Sequence, residues 1–241
     1  PGFRTGLDRE EFINAISTIG VGITGQSANL TPADKKLYGL RDVTGTVDQV
    51  GLIASSIMSK KIAAGADAIV LDVKVGSGAF LTSFEQALEL AKVMVKIGSD
   101  AGRRTVAVIS DMSQPLGRAV GNSLEVVEAI EVLAGRRGGR LLELCLALGS
   151  QMLLLAHQAS SVEDASERLL GAIASGAGLE KLRELTAAQG GDVRVLDRPC
   201  DLPQSKYRHE VRSVYDGWVG RMDCRLIGHA AMMTGAGRQT K

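Results

Sequence analysis

The chain has 241 residues, of which 45% are apolar and 23% charged, a length and balance that allow one large globular core with a small appendage. A formal net charge of +1 gives no electrostatic case for nucleic acid or an anionic membrane, and aromatic residues at 3% are too few for base-stacking platforms. The longest apolar stretch, "LLELCLALGSQMLLLAH", carries Glu143 and Gln151 and reads as a buried helix rather than a membrane span.

Taken in chain order, Asp8 followed by Glu10 and Glu11 opens a helix, with Phe12, Ile13, Ile16 and Ile19 at helical spacing before Gly20. "VGIT" reads as a short strand. Thr31-Pro32 restarts a helix that runs to about Arg41, where "DVTGTV" breaks it. A longer helix is predicted from about Asp48 to Ala64. Strand "AIVLDV", a glycine loop, helix "FEQALELAKVMVKIGSDAG", strand "RTVAVIS", the loop "DMSQPLGRAVG" and helix "NSLEVVEAIEVLAG" follow. That order is a βαβα unit, which implies a parallel sheet covered by helices. Residues 139–190 read as helices, one of them opened by Ser161 with Asp164 as a capping pair. After the connector "PCDLPQSK", the stretch "HEVRSVYDGWVGRMD" predicts a hairpin around Asp216-Gly217.

Cys145, Cys200 and Cys224 are far apart and odd in number, and neither they nor His157, His209 and His229 show a disulfide framework or metal-ligand spacing. A reducing cytoplasm is the plain expectation. In open α/β sheets ligands bind beyond the carboxyl ends of the strands, which brings two loops forward. "KVGSGAF" could cradle a phosphate or simply form a tight turn: it lacks the third glycine of the dinucleotide fingerprint and the Gly-Lys-Ser/Thr of a P-loop. The loop after the second strand, with Asp111, two glycines and a proline, reads either as a turn with a helix cap or as a ligand loop. On the helical segment, Ser56 and Lys60 are four apart and Tyr38 and Arg41 three apart. If the two helices pack as a hairpin, one face gathers donors suited to a planar ligand with carbonyl oxygens; otherwise they are a solvated face.

The stretches "ADKKLYGLRDVTGTVDQVGLIASSIMSKKIAAGADAIVLDVKVGSGAF" and "RRTVAVISDMSQPLGRAVGNSLEVVEAI", with "AAQGGD" and the closing "LIGHAAMMTGAGRQTK", closely resemble the pyrimidine-nucleoside phosphorylase and thymidine phosphorylase family. The resemblance implies an α/β fold, with a large mixed or parallel-sheet lobe and part of a small all-helical lobe. Residues 1–31 and 65–204 would belong to the large lobe, 32–64 to the helical lobe with the base site and a homodimer interface, and 205–241 to the start of a C-terminal α/β portion. The implied reaction is reversible phosphorolysis of pyrimidine nucleosides, with inorganic phosphate as co-substrate. By the same resemblance Tyr38, Arg41, Ser56 and Lys60 contact the base, with Arg41 and Lys60 also assisting catalysis. A monovalent cation, potassium, would be held by the carbonyls of Leu116 and Ala119 and the carboxylate of Glu128. "KVGSGAF" then becomes a turn beside the cleft, because the family's phosphate loop lies upstream. Nothing in residues 1–30 matches that loop, so the chain is expected to be a fragment that does not turn over by itself. The rivals are a related phosphoribosyltransferase and a non-catalytic binding fragment.

Overall fold

A computed structural model of the chain describes residues 1–25, 31–46 and 49–237; the side chains of Lys35, Arg41 and Asp42 lie outside the described set. The elements run α1 (Arg9–Ile19), α2 (Pro32–Thr44), α3 (Val50–Ala63), β1 (Ala68–Val75), α4 (Phe84–Asp100), β2 (Arg104–Asp111), α5 (Asn122–Leu133), α6 (Arg140–Leu155), α7 (Val162–Ala174), α8 (Ala177–Ala188), the single turn α9 (Arg194–Asp197) and α10 (Cys224–Met233). β1 and β2 pair in parallel, in register from Ala68 opposite Arg104 to Val75 opposite Asp111. The α/β class and parallel pairing expected from the sequence are therefore present.

The core follows from the alternation within β1. Ile69, Leu71 and Val73 point to one face and are buried against Ala54 and Met58 of α3 and Ala87, Leu90, Ala91 and Met94 of α4. On the opposite face, α6 lies across both strands. Helices thus cover both sides, as a parallel pair requires. α4 can approach β2 closely only because residue 98 is glycine: a Cβ there would overlap Thr105 Oγ1 and sit 2.9 Å from Thr105 Cβ. A second cluster, Ile130 with Val195, Leu196 and Leu202, joins α5 to the α9 region.

Several boundaries differ from the sequence reading. α1 begins as expected, with a reciprocal capping box between Asp8 and Glu11. α2 runs past Arg41 to Thr44, since β-branched residues cost a helix only tenths of a kcal/mol; the stop is Gly45, left-handed at φ 66°. The expected helix start at Asp48 lies outside the described residues.

"VGIT" does not form a strand. Ile23 donates its N–H to Gln189 Oε1 at 2.8 Å and accepts from Gln189 Nε2 at 2.8 Å. Gln189, 2% exposed, also donates to Arg4 O. One side-chain amide therefore does the work of a neighbouring strand and ties the first 25 residues to the end of α8.

The hairpin around Asp216-Gly217 is not formed either. Residues 203–223 are irregular, with Val211, Val214 and Trp218 almost fully exposed. Two strands alone are marginal in water without a third strand or a helix to cover their apolar face.

The tight contact at Gly98 makes a sharp test. Gly98→Val should destabilise by about 2–3 kcal/mol through overpacking against Thr105, read as a lower urea midpoint at unchanged m-value. An unchanged midpoint would mean that α4 does not sit this close to β2.

Candidate functional site

Both loops singled out in the sequence emerge at the carboxyl ends of β1 and β2, where parallel strands leave a crevice. They are stitched together. Ser77 Oγ donates to Ser113 O at 3.1 Å and accepts from Cys224 N at 3.0 Å, and Gly78 N donates to Met112 O at 3.0 Å. Gly76 N donates to Leu81 O and Ala79 N to Gly76 O. The N–H groups of Gly76, Gly78 and Ala79 are thus engaged by the protein's own carbonyls, the arrangement of a tight turn. A cavity of about 1070 Å³ opens beside it, lined among others by Ile57, Lys74, Ser77, Phe80, Met112 and Arg221. Of the lining, Lys74 is paired with Asp72 and donates to Ser110 Oγ at 3.0 Å.

The helical segment brings Ser56 and Lys60 together. One turn apart on α3, they are joined by a 2.8 Å hydrogen bond from Lys60 Nζ to Ser56 Oγ. Lys60 Nζ also donates to Ser56 O at 2.7 Å and forms an ion pair with Asp34 Oδ2 at 2.7 Å. Ser56 therefore takes two of the ammonium's three donors, and Asp34 matches its charge. Asp34 is 9% exposed. The sequence reading did not single it out, because an acid in the first turn of a helix after Thr31-Pro32 reads as an ordinary complement to the helix dipole. Only the packing of α2 on α3 reveals it as the counter-charge of Lys60. Tyr38 lies one turn beyond Asp34 on the same helix and is 40% exposed. Arg41 belongs to α2, but its side chain lies outside the described residues.

The loop after β2 is organised by Glu128. This α5 residue is 4% exposed and faces back into the loop, where Oε1 accepts from Arg118 N at 3.0 Å and Oε2 from Ala119 N at 2.9 Å. Arg137 Nη1 lies 3.4 Å from Oε1. Burial pushes the Glu128 carboxyl pKa up, but the two backbone N–H groups and Arg137 outweigh it and hold the group below its ordinary value. A Cβ at residue 117 would collide with Oε2, so Gly117 is required for this approach. At the start of the loop Asp111 accepts from Ser113 N and from Arg140 Nη2, both at 2.9 Å. Ala119 thus presents its N–H, not its carbonyl, to Glu128. No group of three or more His, Cys, Asp or Glu side chains suited to a metal ion occurs among the described residues. Burial also raises the Cys145 and Cys224 thiol pKa values, so neither is an activated nucleophile.

The Lys60 cluster can be tested by stability. Asp34→Asn leaves a largely buried ammonium without its counter-charge and should lose about 1–3 kcal/mol, whereas Ser56→Ala removes a neutral acceptor and should lose about 1 kcal/mol. Denaturant unfolding of both variants checks the order, and a reversed order would show that Asp34 is not what holds Lys60.

Comparison with known proteins adds to this geometry. The family described as "Glycosyl transferase family, a/b domain" matches residues 1–179. The pyrimidine-nucleoside phosphorylase of Staphylococcus aureus is 55% identical over 240 residues, covering 100% of this chain and 55% of the relative. That of Staphylococcus epidermidis is 54% identical over the same span and coverage. The chain spans about half the length of these curated relatives. With its helix-covered parallel strands and its match over most of its length, the chain belongs to the glycosyl transferase family, of which residues 1–179 form the a/b domain.

Proposed function

We propose that this chain is part of a pyrimidine-nucleoside phosphorylase, a pentosyltransferase that uses inorganic phosphate as co-substrate. The reading is carried by identity of 55%, spread over the whole chain, to proteins of that name. In the reaction the bond between the pentose C1′ and the pyrimidine N1 breaks, and its electron pair leaves with the base. A phosphate oxygen forms the new bond at C1′, giving a pentose 1-phosphate, and a proton from the medium completes the free base.

Negative charge develops on the departing pyrimidine, so cationic donors on its carbonyl oxygens bind the transition state more tightly than the ground state. Arg41 and Lys60 are assigned that role, with Ser56 on the polar edge of the ring and Tyr38 beside it. The joining of Ser56 to Lys60 by a 2.8 Å hydrogen bond supports this assignment, since it places a neutral and a cationic donor on one helix face. Lys60 would exchange one of its present acceptors for a base carbonyl, while Asp34 keeps the charge matched.

We further infer a homodimer through the helical segment 32–64. Leu37, Leu40 and Val43 form an exposed apolar stripe on α2, at 54%, 56% and 79% exposure, and a second copy would cover it. A cytoplasmic setting accords with three free cysteines. No helix among the described residues is long and apolar enough to cross a membrane.

The test is release of free base from uridine and thymidine by the full-length protein. Base should appear only when phosphate is supplied, and Arg41→Ala and Lys60→Ala should each cut turnover by about a hundredfold or more. Turnover untouched by both substitutions would remove these residues from the chemistry, and base release without phosphate would overturn the reaction class.

A further inference from the structure

The charge at Glu128 raises a question separate from catalysis. A carboxylate buried to 4% exposure must be matched, and the family resemblance assigns that task to a monovalent cation shared with the Leu116 and Ala119 carbonyls. The geometry does not fit a cation there. Each carboxylate oxygen offers about two lone pairs. Those of Oε1 face Arg118 N and Arg137 Nη1, one of Oε2 faces Ala119 N, and Gly117 packs so closely against Oε2 that even a Cβ would not fit between them. The loop also lines a cavity of about 590 Å³, to which Arg118 and Arg140 contribute positive charge and Glu128 the negative charge. Asp111, nearby, is already paired with Arg140.

The chain path explains how Arg137 arrives. α5 ends in a Schellman turn: Gly135 is left-handed at φ 70°, its N–H donates to Val132 O at 3.0 Å, and Arg136 N donates to Glu131 O at 2.9 Å. The reversal folds two consecutive arginines back along the helix. Arg136 forms a two-pronged pair with Glu131, at 2.9 and 2.8 Å, and Arg137 reaches Glu128 one turn earlier. Glu128 and Glu131 are three apart and share a face, so the turn aligns two acids with two bases.

We propose that the Arg137 guanidinium takes the place of a bound monovalent cation, matching the charge of Glu128 and so fixing the loop between β2 and α5. Arg137 is a positioning residue in this scheme: it acts on the loop through Glu128. The inference does not depend on the proposed reaction, and its test does not read activity.

Thermal unfolding of the full-length protein is compared in potassium chloride and in choline chloride at equal ionic strength, so that general screening is the same. Tryptic cleavage after Arg118, within the loop, is followed in parallel, with cleavage after Lys96 on α4 as the control for global opening. The wild type should melt within about 1 °C in the two salts, while Arg137→Ala should melt about 2–4 °C lower in choline. Cleavage after Arg118 should be about tenfold faster in that variant, with cleavage after Lys96 little changed. Arg137→Lys, which keeps the charge, should recover most of both effects. A saturable, potassium-specific rise of several degrees in the wild type would overturn the proposal. So would an Arg137→Ala protein that melts and is cleaved like the wild type in choline, or one whose extra cleavage is equal at Arg118 and Lys96.

Discussion

The parallel pairing of β1 with β2 is the constraint on which the rest of the molecule depends. Two parallel strands cannot be joined by a tight turn, so the chain must cross over the sheet, and α4 is that crossover. The crossover packs tightly because Gly98 lets the helix backbone come down onto Thr105. Parallel strands also end on the same side. The glycine loop after β1 and the long loop after β2 therefore meet, and they are bonded to each other through Ser77, Ser113, Gly78 and Met112. A crevice at that end follows from topology before any side-chain chemistry is considered.

Two charges drawn away from water obey one rule. Lys60 is drawn into the packing of α3 and is matched by Asp34; Glu128 is drawn under the β2–α5 loop and is matched by Arg137 and two backbone N–H groups. In each case withdrawal from water makes a partner obligatory, and the partner comes from a different part of the chain. The first pairing fixes where the Lys60 ammonium stands, and the second ties the loop between β2 and α5 to the helix that follows it. In the proposed reaction a partly buried, hydrogen-bonded lysine beside a serine would be oriented before charge develops on the leaving base.

Much of this was legible in the sequence. Elements whose signals are local are where the residues predicted them: the start of α1 after Asp8, the βαβα order, the helices over 139–190, and the shared face of Ser56 and Lys60. The misreadings have one physical origin. "VGIT" reads as a strand from its short apolar run, and the hairpin from the Asp216-Gly217 turn dipeptide, but a strand exists only if another strand accepts its backbone. Gln189 takes the backbone groups of Ile23, and nothing among the described residues covers Val211, Val214 or Trp218.

By itself, then, the sequence determined the fold class, the order of the elements, the family and the face on which Ser56 and Lys60 stand, because helical periodicity, capping and long motifs are written in neighbouring residues. Tertiary structure alone decided that Asp34 neutralises Lys60, that Gln189 holds the N-terminal segment, and that Arg137 rather than a distant group reaches Glu128. Those choices join residues 26, 166 and 9 positions apart. The first two need elements to pack before the groups meet; the last needs a left-handed glycine to reverse the chain. Charge and hydrogen-bond matching of buried groups is settled by which surfaces lose their water, and that is known only once the chain has folded.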